Sequence, residues 1–341
     1  MANQINCPNC GSGNYKVVLR KDILTEVYSI VKCTSCSLHF VNPLPSDTEL
    51  QLYYNHEYRI PAYQKDKVVL KSKRIIAILK ERGLPEGSKI FDLGASHGYF
   101  LHEAKKNGYV PFGVELSKEA CTNAKKTYGI EIDNCFFADS PLSKEENFFE
   151  VTSMLDVLEH LTDPNIILSG FRKILKTNGR VVLTLPNIDS TEYKLYGRYW
   201  EWLSPPDHLY YYSPKTITSL LAKHGFEIEY LETYKGDSAG NLVFHLFLSS
   251  RQLVFYGLKY ILGRKRLLAM KMKMSARMEE ANEESGKEFS GLSSIIYKTS
   301  ELLNPLLRGF DKKRYLRGRG PSILVMARKK LSIENEAFQS Q

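Results

Sequence analysis

Between residues 89 and 185, short apolar runs are separated by stretches in which apolar residues recur every three or four positions. The short runs predict strands at 89–92, 111–115, 131–136, 151–155 and 180–185, and helical patterns fill the gaps. Upstream, Val69, Ile75, Ile76 and Leu79 share one face of a helix predicted over 68–82. Downstream come a loop over 186–214, a helix over 214–224, a sixth strand in "FEIEYLE" at 226–232 and a last strand in "SILVMARKK" at 322–330. Strands alternating with helices imply an α/β fold with a mainly parallel sheet and a ligand at the carboxyl ends of its strands. The stretch from 233 to 319 is several times longer than a usual loop and must carry structure of its own. Its apolar positions, Leu242, Leu246 and Leu253 early and Leu302, Leu303 and Leu306 late, suggest amphipathic helices.

Composition adds little until it is located along the chain. At 341 residues, 43% apolar and 25% charged, the sequence reads as globular. It holds no apolar run long enough to span a membrane, and its first residues lack the basic and apolar regions of an export signal, so a cytoplasmic location is expected. The net charge is +9, but residues 251–330 hold 19 Lys and Arg against 7 Asp and Glu, a surplus of 12 that leaves the remainder at 9 − 12 = −3. The basicity belongs to one segment. There Arg264, Lys265, Arg266, Lys271 and Lys273, with Lys312, Lys313 and Arg314 further on, accompany Phe255, Tyr256, Leu267, Leu268 and Met270. That combination can lie at an anionic membrane surface, which would make the protein peripheral at the inner face; a lid or dimer contact is the commoner use of such helices.

Four of the six cysteines stand in the first 36 residues, as Cys7-Pro-Asn-Cys10 and Cys33-Thr-Ser-Cys36. Two such knuckles, 22 residues apart, can offer the four thiolates of a tetrahedral zinc site, with a hairpin at 15–19 and 27–32 between them as in a zinc ribbon. Four thiolates close the coordination shell, so a structural zinc is expected. Cys121 and Cys135 lack such partners. The expected organisation is a zinc ribbon over 1–45, an α/β core with its connector and first helix over 46–232, a basic helical insertion over 233–320, and the last core strand and tail over 321–341.

The stretch "FDLGASHGYF" leaves the first core strand through Asp92, Gly94 and Gly98. Gly-x-x-x-Gly alone is weak, and a dinucleotide site would want three closely spaced glycines with its pyrophosphate on the helix N-terminus. A carboxylate at the turn would repel a pyrophosphate and suits a ligand carrying an ammonium and a ribose. Glu115, closing the second strand in "FGVELS", lies where an acid can accept from both ribose hydroxyls.

With "FFAD", "MLDVLEHLTDP" and "LKTNGRVVLTLPN" in order behind these motifs, the stretch from 89 to about 232 resembles the class I S-adenosylmethionine-dependent methyltransferases. The resemblance implies a Rossmann-like sheet, mostly parallel, whose last strand is antiparallel. It also implies that Asp92, Gly94 and Gly98 lie beside the methionyl part of S-adenosylmethionine, that Glu115 holds the ribose and that Asp139 meets the adenine amine. Asp156 and Leu158 would border the methionyl end and the acceptor. Ser96 stands where the family often has a middle glycine, so the loop geometry is expected to differ there.

A four-cysteine ribbon ending in "CSLHFVNPLP", ahead of such a core, resembles a bacterial-type group acting on sugar nucleotides and other cell-surface or secondary-metabolite precursors. The implied acceptor is a sugar nucleotide or a glycan or lipid-linked precursor. Trp200, Trp202, Tyr210, Tyr211 and Tyr212 in the loop after the fifth strand either stack on such an acceptor or pack the loop onto the sheet. An RNA methyltransferase is the alternative, opposed by the want of a basic stripe in the ribbon; a catalytically silent S-adenosylmethionine-binding scaffold is a third reading. His208, in the same loop, is the best candidate for a general base, with Tyr211 the weaker one, unless His208 only pins the loop. His160 is expected to position the loop, and His97 to be an ordinary loop residue.

Overall fold

The computed structural model describes residues 4–23, 26–46, 48–50, 65–235 and 304–330. Most of the expected insertion, including Arg264, Lys265, Arg266, Lys271 and Lys273, lies outside the described residues, as does most of the connector.

Two sheets organise the rest. The N-terminal sheet begins with the antiparallel hairpin β1 (Tyr15–Ile23) and β2 (Glu26–Cys33), followed by β3 (His39–Val41). After helix α1 (Lys65–Glu81), the core alternates β4 (Lys89–Leu93), α2 (Tyr99–Lys106), β5 (Val110–Val114), α3 (Lys118–Tyr128), β6 (Phe149–Leu155), α4 (Pro164–Ile174) and β7 (Leu175–Pro186). Then come α5 (Thr191–Tyr196), β8 (Tyr210–Tyr211), α6 (Pro214–Lys223), β9 (Phe226–Tyr234), α7 (Asn304–Leu316) and β10 (Ser322–Lys329). The six-stranded core sheet runs β5-β4-β6-β7-β10-β9, with β5, β4, β6 and β7 parallel and β10 antiparallel to both neighbours. Among the described residues no helix is long and apolar enough to cross a membrane.

Local chemistry explains where the elements start. Ser117 caps α3, Asp163 caps α4 ahead of Pro164, and Ser213 with Thr216 forms a capping box ahead of Pro214 in α6. Both faces of the sheet are covered, as its near-continuous apolar strands require. On one face Phe91, Phe137, Phe149 and Phe171 interlock, with Phe91 ring centroids 5.3 to 5.9 Å from the other three. On the other, Ile75, Ile76 and Leu79 of α1 pack with Phe100 and Leu101 of α2 over Ile90.

One expected strand is absent. Of residues 131–136 only Asp133 joins the sheet, through a parallel bridge to Val114. Side chains take over the bonding there: Asn134 Nδ2 donates to the carbonyls of Glu115 and Leu116, and Ser140 Oγ donates to Asp133 Oδ2. Such side-chain bonds compete with a strand ladder.

The ribbon is built into the core. β3 pairs with β8, His39 opposite Tyr211 and Phe40 opposite Tyr210, so a segment of the loop between β7 and α6 becomes the fourth strand of the N-terminal sheet. Asn9 Nδ2 donates to the Thr216 carbonyl at 3.2 Å and Lys223 Nζ to that of Pro8 at 2.7 Å. Lys21, 5% exposed, donates to the Leu203 carbonyl, and its burial, aided by Arg198, lowers its pKa to about 8.

Candidate active site

The carboxyl ends of β4, β5 and β6 gather most of the expected residues. Asp92, one residue before the end of β4, is 3% exposed, with Oδ1 accepting from Ser153 Oγ at 2.6 Å. Burial pushes its pKa up to about 7; Ser153 and Lys71 pull it down, and the negative charge of Glu115 adds to the rise. The chain then turns through Gly94 and Gly98, each at φ +75°, and Ser96 at φ +49°. A Cβ at Gly94 would lie 2.7 Å from Val157 Cγ2, and one at Gly98 3.1 Å from Ala124 Cβ, so glycine serves both backbone angle and space. Ser96 accepts the positive φ without glycine because its amide donates to Glu115 Oε2 at 2.9 Å. The other Glu115 oxygen accepts from the Ser117 amide at 2.8 Å. Each carboxylate oxygen keeps lone-pair capacity for a ribose hydroxyl.

Asp139 is exposed in a 3₁₀ turn over Phe137–Asp139, at the edge the missing strand leaves open. Leu116, 57% exposed, follows the expected ribose acid and Phe136, 65% exposed, stands one turn before the expected adenine acid; these exposed apolar side chains could cover an adenine face, and nothing in the sequence alone singles them out. Asp156 sits at φ +58° after β6, where Lys71 Nζ reaches Oδ2 at 2.5 Å and Thr184 Oγ1 donates to Oδ1 at 3.0 Å. Lys71 comes from α1, 85 residues away, and no pattern in the sequence marks it. Leu158, which the resemblance sets beside the acceptor, is fully buried in the core at the start of the 3₁₀ turn Leu158–His160.

That turn also carries Glu159 and His160 to His208. His208, 3% exposed, donates from Nδ1 to the Trp202 carbonyl at 2.8 Å, which leaves Nε2 with the lone pair of the neutral ring. Its ring stands 4.7 Å from that of His160, at 78°, and stacks against Trp202 at 5.8 Å. His160 Nδ1 lies 2.9 Å from the Asp207 carbonyl and 3.1 Å from Asp207 Oδ1. Asp207 therefore orients His160, while its other oxygen is 3.8 Å from His208 Nε2. Both oxygens of Glu159, 1% exposed, lack a hydrogen-bond partner. Burial pushes the Glu159 carboxyl up to about 8 against the pull of His160. Burial also pushes His208 down to about 4, with the charge of His160 in the same direction. For His160, burial is outweighed by Asp207 and Glu159, and its pKa rises to about 9.

The loop aromatics are mostly structural. Trp200, Tyr210, Tyr211 and Tyr212 are 1 to 2% exposed, with Tyr210 and Tyr211 held in β8 and Tyr211 Oη donating to the His208 carbonyl at 2.9 Å. They pack the loop between ribbon and sheet, the packing alternative of the two, and of the five only Trp202 is half-buried. Arg314 is a correction. Counted among the membrane-facing cations, it is 5% exposed and paired with buried Glu192 and with Asp311 Oδ1 at 2.8 Å.

Cys7, Cys10, Cys33 and Cys36 bring their sulfurs within 4.8 Å of one another, with Cys7–Cys36 and Cys10–Cys33 each at 3.5 Å. These spacings exclude disulfides, which need about 2.0 Å. They suit four sulfurs sharing one zinc at about 2.3 Å each, where tetrahedral geometry puts neighbours about 3.8 Å apart.

Residues 63–231 match the model of a family described as a methyltransferase domain. The chain is 27% identical over 105 residues to a ubiquinone biosynthesis O-methyltransferase of Idiomarina loihiensis, covering 30% of this chain and 43% of that one. It is 25% identical over 166 residues to an uncharacterized protein of Methanocaldococcus jannaschii, covering 48% of this chain and 75% of that one. The chain thus spans about half the length of the ubiquinone-pathway relatives it matches. A solved S-adenosylmethionine-dependent methyltransferase of Archaeoglobus fulgidus aligns at a TM-score of 0.46 and 14% identity, over 83% of this chain and all of that one.

Proposed function

Residues 63–231 being a methyltransferase domain, we propose that the protein transfers a methyl group from S-adenosylmethionine to a hydroxyl of a small-molecule acceptor, a sugar nucleotide or a glycan or lipid-linked precursor. The cofactor supplies a methyl carbon made electrophilic by its sulfonium. In this reading Asp92 takes its ammonium, the backbone at Gly94 and Gly98 lets it approach, Glu115 receives the ribose hydroxyls, Asp139 the adenine amine, and Asp156 borders the methionyl end. Lys71 holds Asp156 in place. A zinc on Cys7, Cys10, Cys33 and Cys36 would be structural.

The observation that carries the reading is the convergence of Glu159, His160 and His208 just beyond Asp156. Their donor atoms all lie within 4.8 Å of one another. Methyl transfer is an in-line displacement that needs mainly alignment, unless the attacking atom must lose a proton. An amine acceptor at its free-base stage needs no such cluster, whereas a hydroxyl does. The relatives named as O-methyltransferases agree with an oxygen acceptor. The RNA alternative loses some ground because Lys21, one of the ribbon's cations, is buried against Leu203.

Methyl-labelled cofactor supplied to the purified protein with cell extract, split into soluble nucleotides, lipids and RNA, tests the acceptor class. Label is expected in the nucleotide or lipid fraction; label in RNA would overturn it. His208→Ala is expected to lower turnover by roughly 10² to 10⁴ with cofactor affinity unchanged, and unchanged turnover would remove His208 from the chemistry.

A further inference from the structure

We propose that Glu159, His160 and His208 together form a site for a divalent cation of the zinc type, distinct from the four-cysteine centre. The inference rests on reading this cluster as the one that activates the acceptor, though ion binding itself can be measured without turnover.

Three features of the geometry carry it. The Glu159 carboxylate is 1% exposed and neither oxygen has a hydrogen-bond partner. A buried carboxyl without donors is costly unless it stays protonated, is paired, or is given to a metal. Beside it are two imidazoles whose Nδ1 atoms are both engaged, His160 by Asp207 at 2.9 and 3.1 Å and His208 by the Trp202 carbonyl at 2.8 Å. Metal-ligating histidines nearly always give their second nitrogen to a carboxylate or a backbone carbonyl in this way, which fixes the tautomer and leaves Nε2 to the ion. The third feature is rigidity: the Leu209 amide donates to the Glu159 carbonyl at 2.8 Å, so the turn and the loop that supply the donors are bonded to each other.

One carboxylate and two imidazoles leave open positions, as in catalytic rather than structural centres. Bonds of about 2.1 Å limit two donors of one ion to about 4.2 Å apart. The donor atoms, all within 4.8 Å of one another, therefore draw together on binding through side-chain rotation. An acceptor hydroxyl on the ion would lose its proton to solvent along the partly exposed edge of His160. The oxygen lone pair then forms the bond to the methyl carbon as the bond from that carbon to sulfur breaks, and sulfur leaves as a neutral thioether.

Cobalt(II) titrated into the metal-free full-length protein tests the proposal, because thiolate ligands give an intense near-ultraviolet charge-transfer band that nitrogen and oxygen ligands lack. The wild type is expected to take a second equivalent that shows weak visible bands without added thiolate absorption. Glu159→Gln and His208→Gln, checked by thermal melting to be folded, are expected to lose that equivalent and keep the thiolate band. A wild type that saturates with the thiolate-bound ion alone would overturn the proposal and return the cluster to imidazole base catalysis; so would variants that retain the second ion. Failure to bind S-adenosylmethionine with both ions in place would count against the proposed function and leave the ion site standing.

Discussion

Asp92→Asn should make the cofactor-free protein more stable while making it a poor binder of S-adenosylmethionine. Asp92 is 3% exposed, and its pKa climbs from an ordinary 3.8 to about 7, chiefly through burial. At about 1.4 kcal/mol per pKa unit, the ionised carboxylate is about 4 kcal/mol less stable in the folded chain than in the unfolded one. The sign follows from the direction of the rise. The folded protein holds the proton more tightly, so the protonated acid contributes its full stability below about pH 4, and that contribution is lost as pH rises through about 7. Asparagine keeps the Ser153 hydrogen bond and never ionises. The variant's advantage should therefore grow from near zero at about pH 4 to about 4 kcal/mol at about pH 8, or about 8 to 16 °C in melting temperature for a core of this size. Calorimetric scans of the cofactor-free wild type and variant across that range, with cofactor titrations alongside, measure both halves. Equal melting temperatures at about pH 8, or a difference that does not widen with pH, would refute the account of Asp92; undiminished cofactor affinity would refute its pairing with the ammonium.

Other outcomes are expected elsewhere in the fold. Glu115→Ala should weaken S-adenosylmethionine binding by about 1.5 to 3 kcal/mol, the scale of hydrogen bonds to a charged group, as read by isothermal titration; equal affinity would remove Glu115 from the site. Arg314→Met leaves Glu192 buried and unpaired and should cost about 3 to 5 kcal/mol in denaturant unfolding, with Glu192→Leu in the same chain recovering most of it. Chelating the four-cysteine centre should speed hydrogen exchange at the Val41 amide, which donates to Leu209, and lower methyl transfer while cofactor affinity holds.

The parallel core strands were legible because they are short apolar runs, almost wholly buried in β4 and partly so in edge strand β5, and Asp92 and Glu115 stand out because acids interrupt those runs at their ends. The strand expected over 131–136 failed where Asp133 and Asn134 offered local bonding that a periodicity count does not weigh. Lys71 could not be read at all, since its role depends on α1 crossing the sheet to reach Asp156. The sequence leaves the tyrosines around 211 open between stacking and packing for a related reason: their neighbours are the ribbon strands, and chain order gives no hint that His39 and Tyr211 face each other. In the sequence His208 stands as an isolated histidine in the loop after β7, and its company with Glu159 is visible only in three dimensions.

The pairing of β3 with β8 also bears on how the protein is made. His39 and Tyr211 are 211 − 39 = 172 positions apart, so at about 5 to 20 residues per second a ribosome takes roughly 10 to 35 s to supply the strand that closes the ribbon's edge. Throughout that interval the β3 edge offers unpaired amides and carbonyls beside Phe40, the kind of edge that recruits another chain. A nascent ribbon therefore carries that edge uncovered, with only the shortness of β3 to blunt it, and truncations ending before residue 210 should aggregate more readily than the full chain even though the four cysteines are intact.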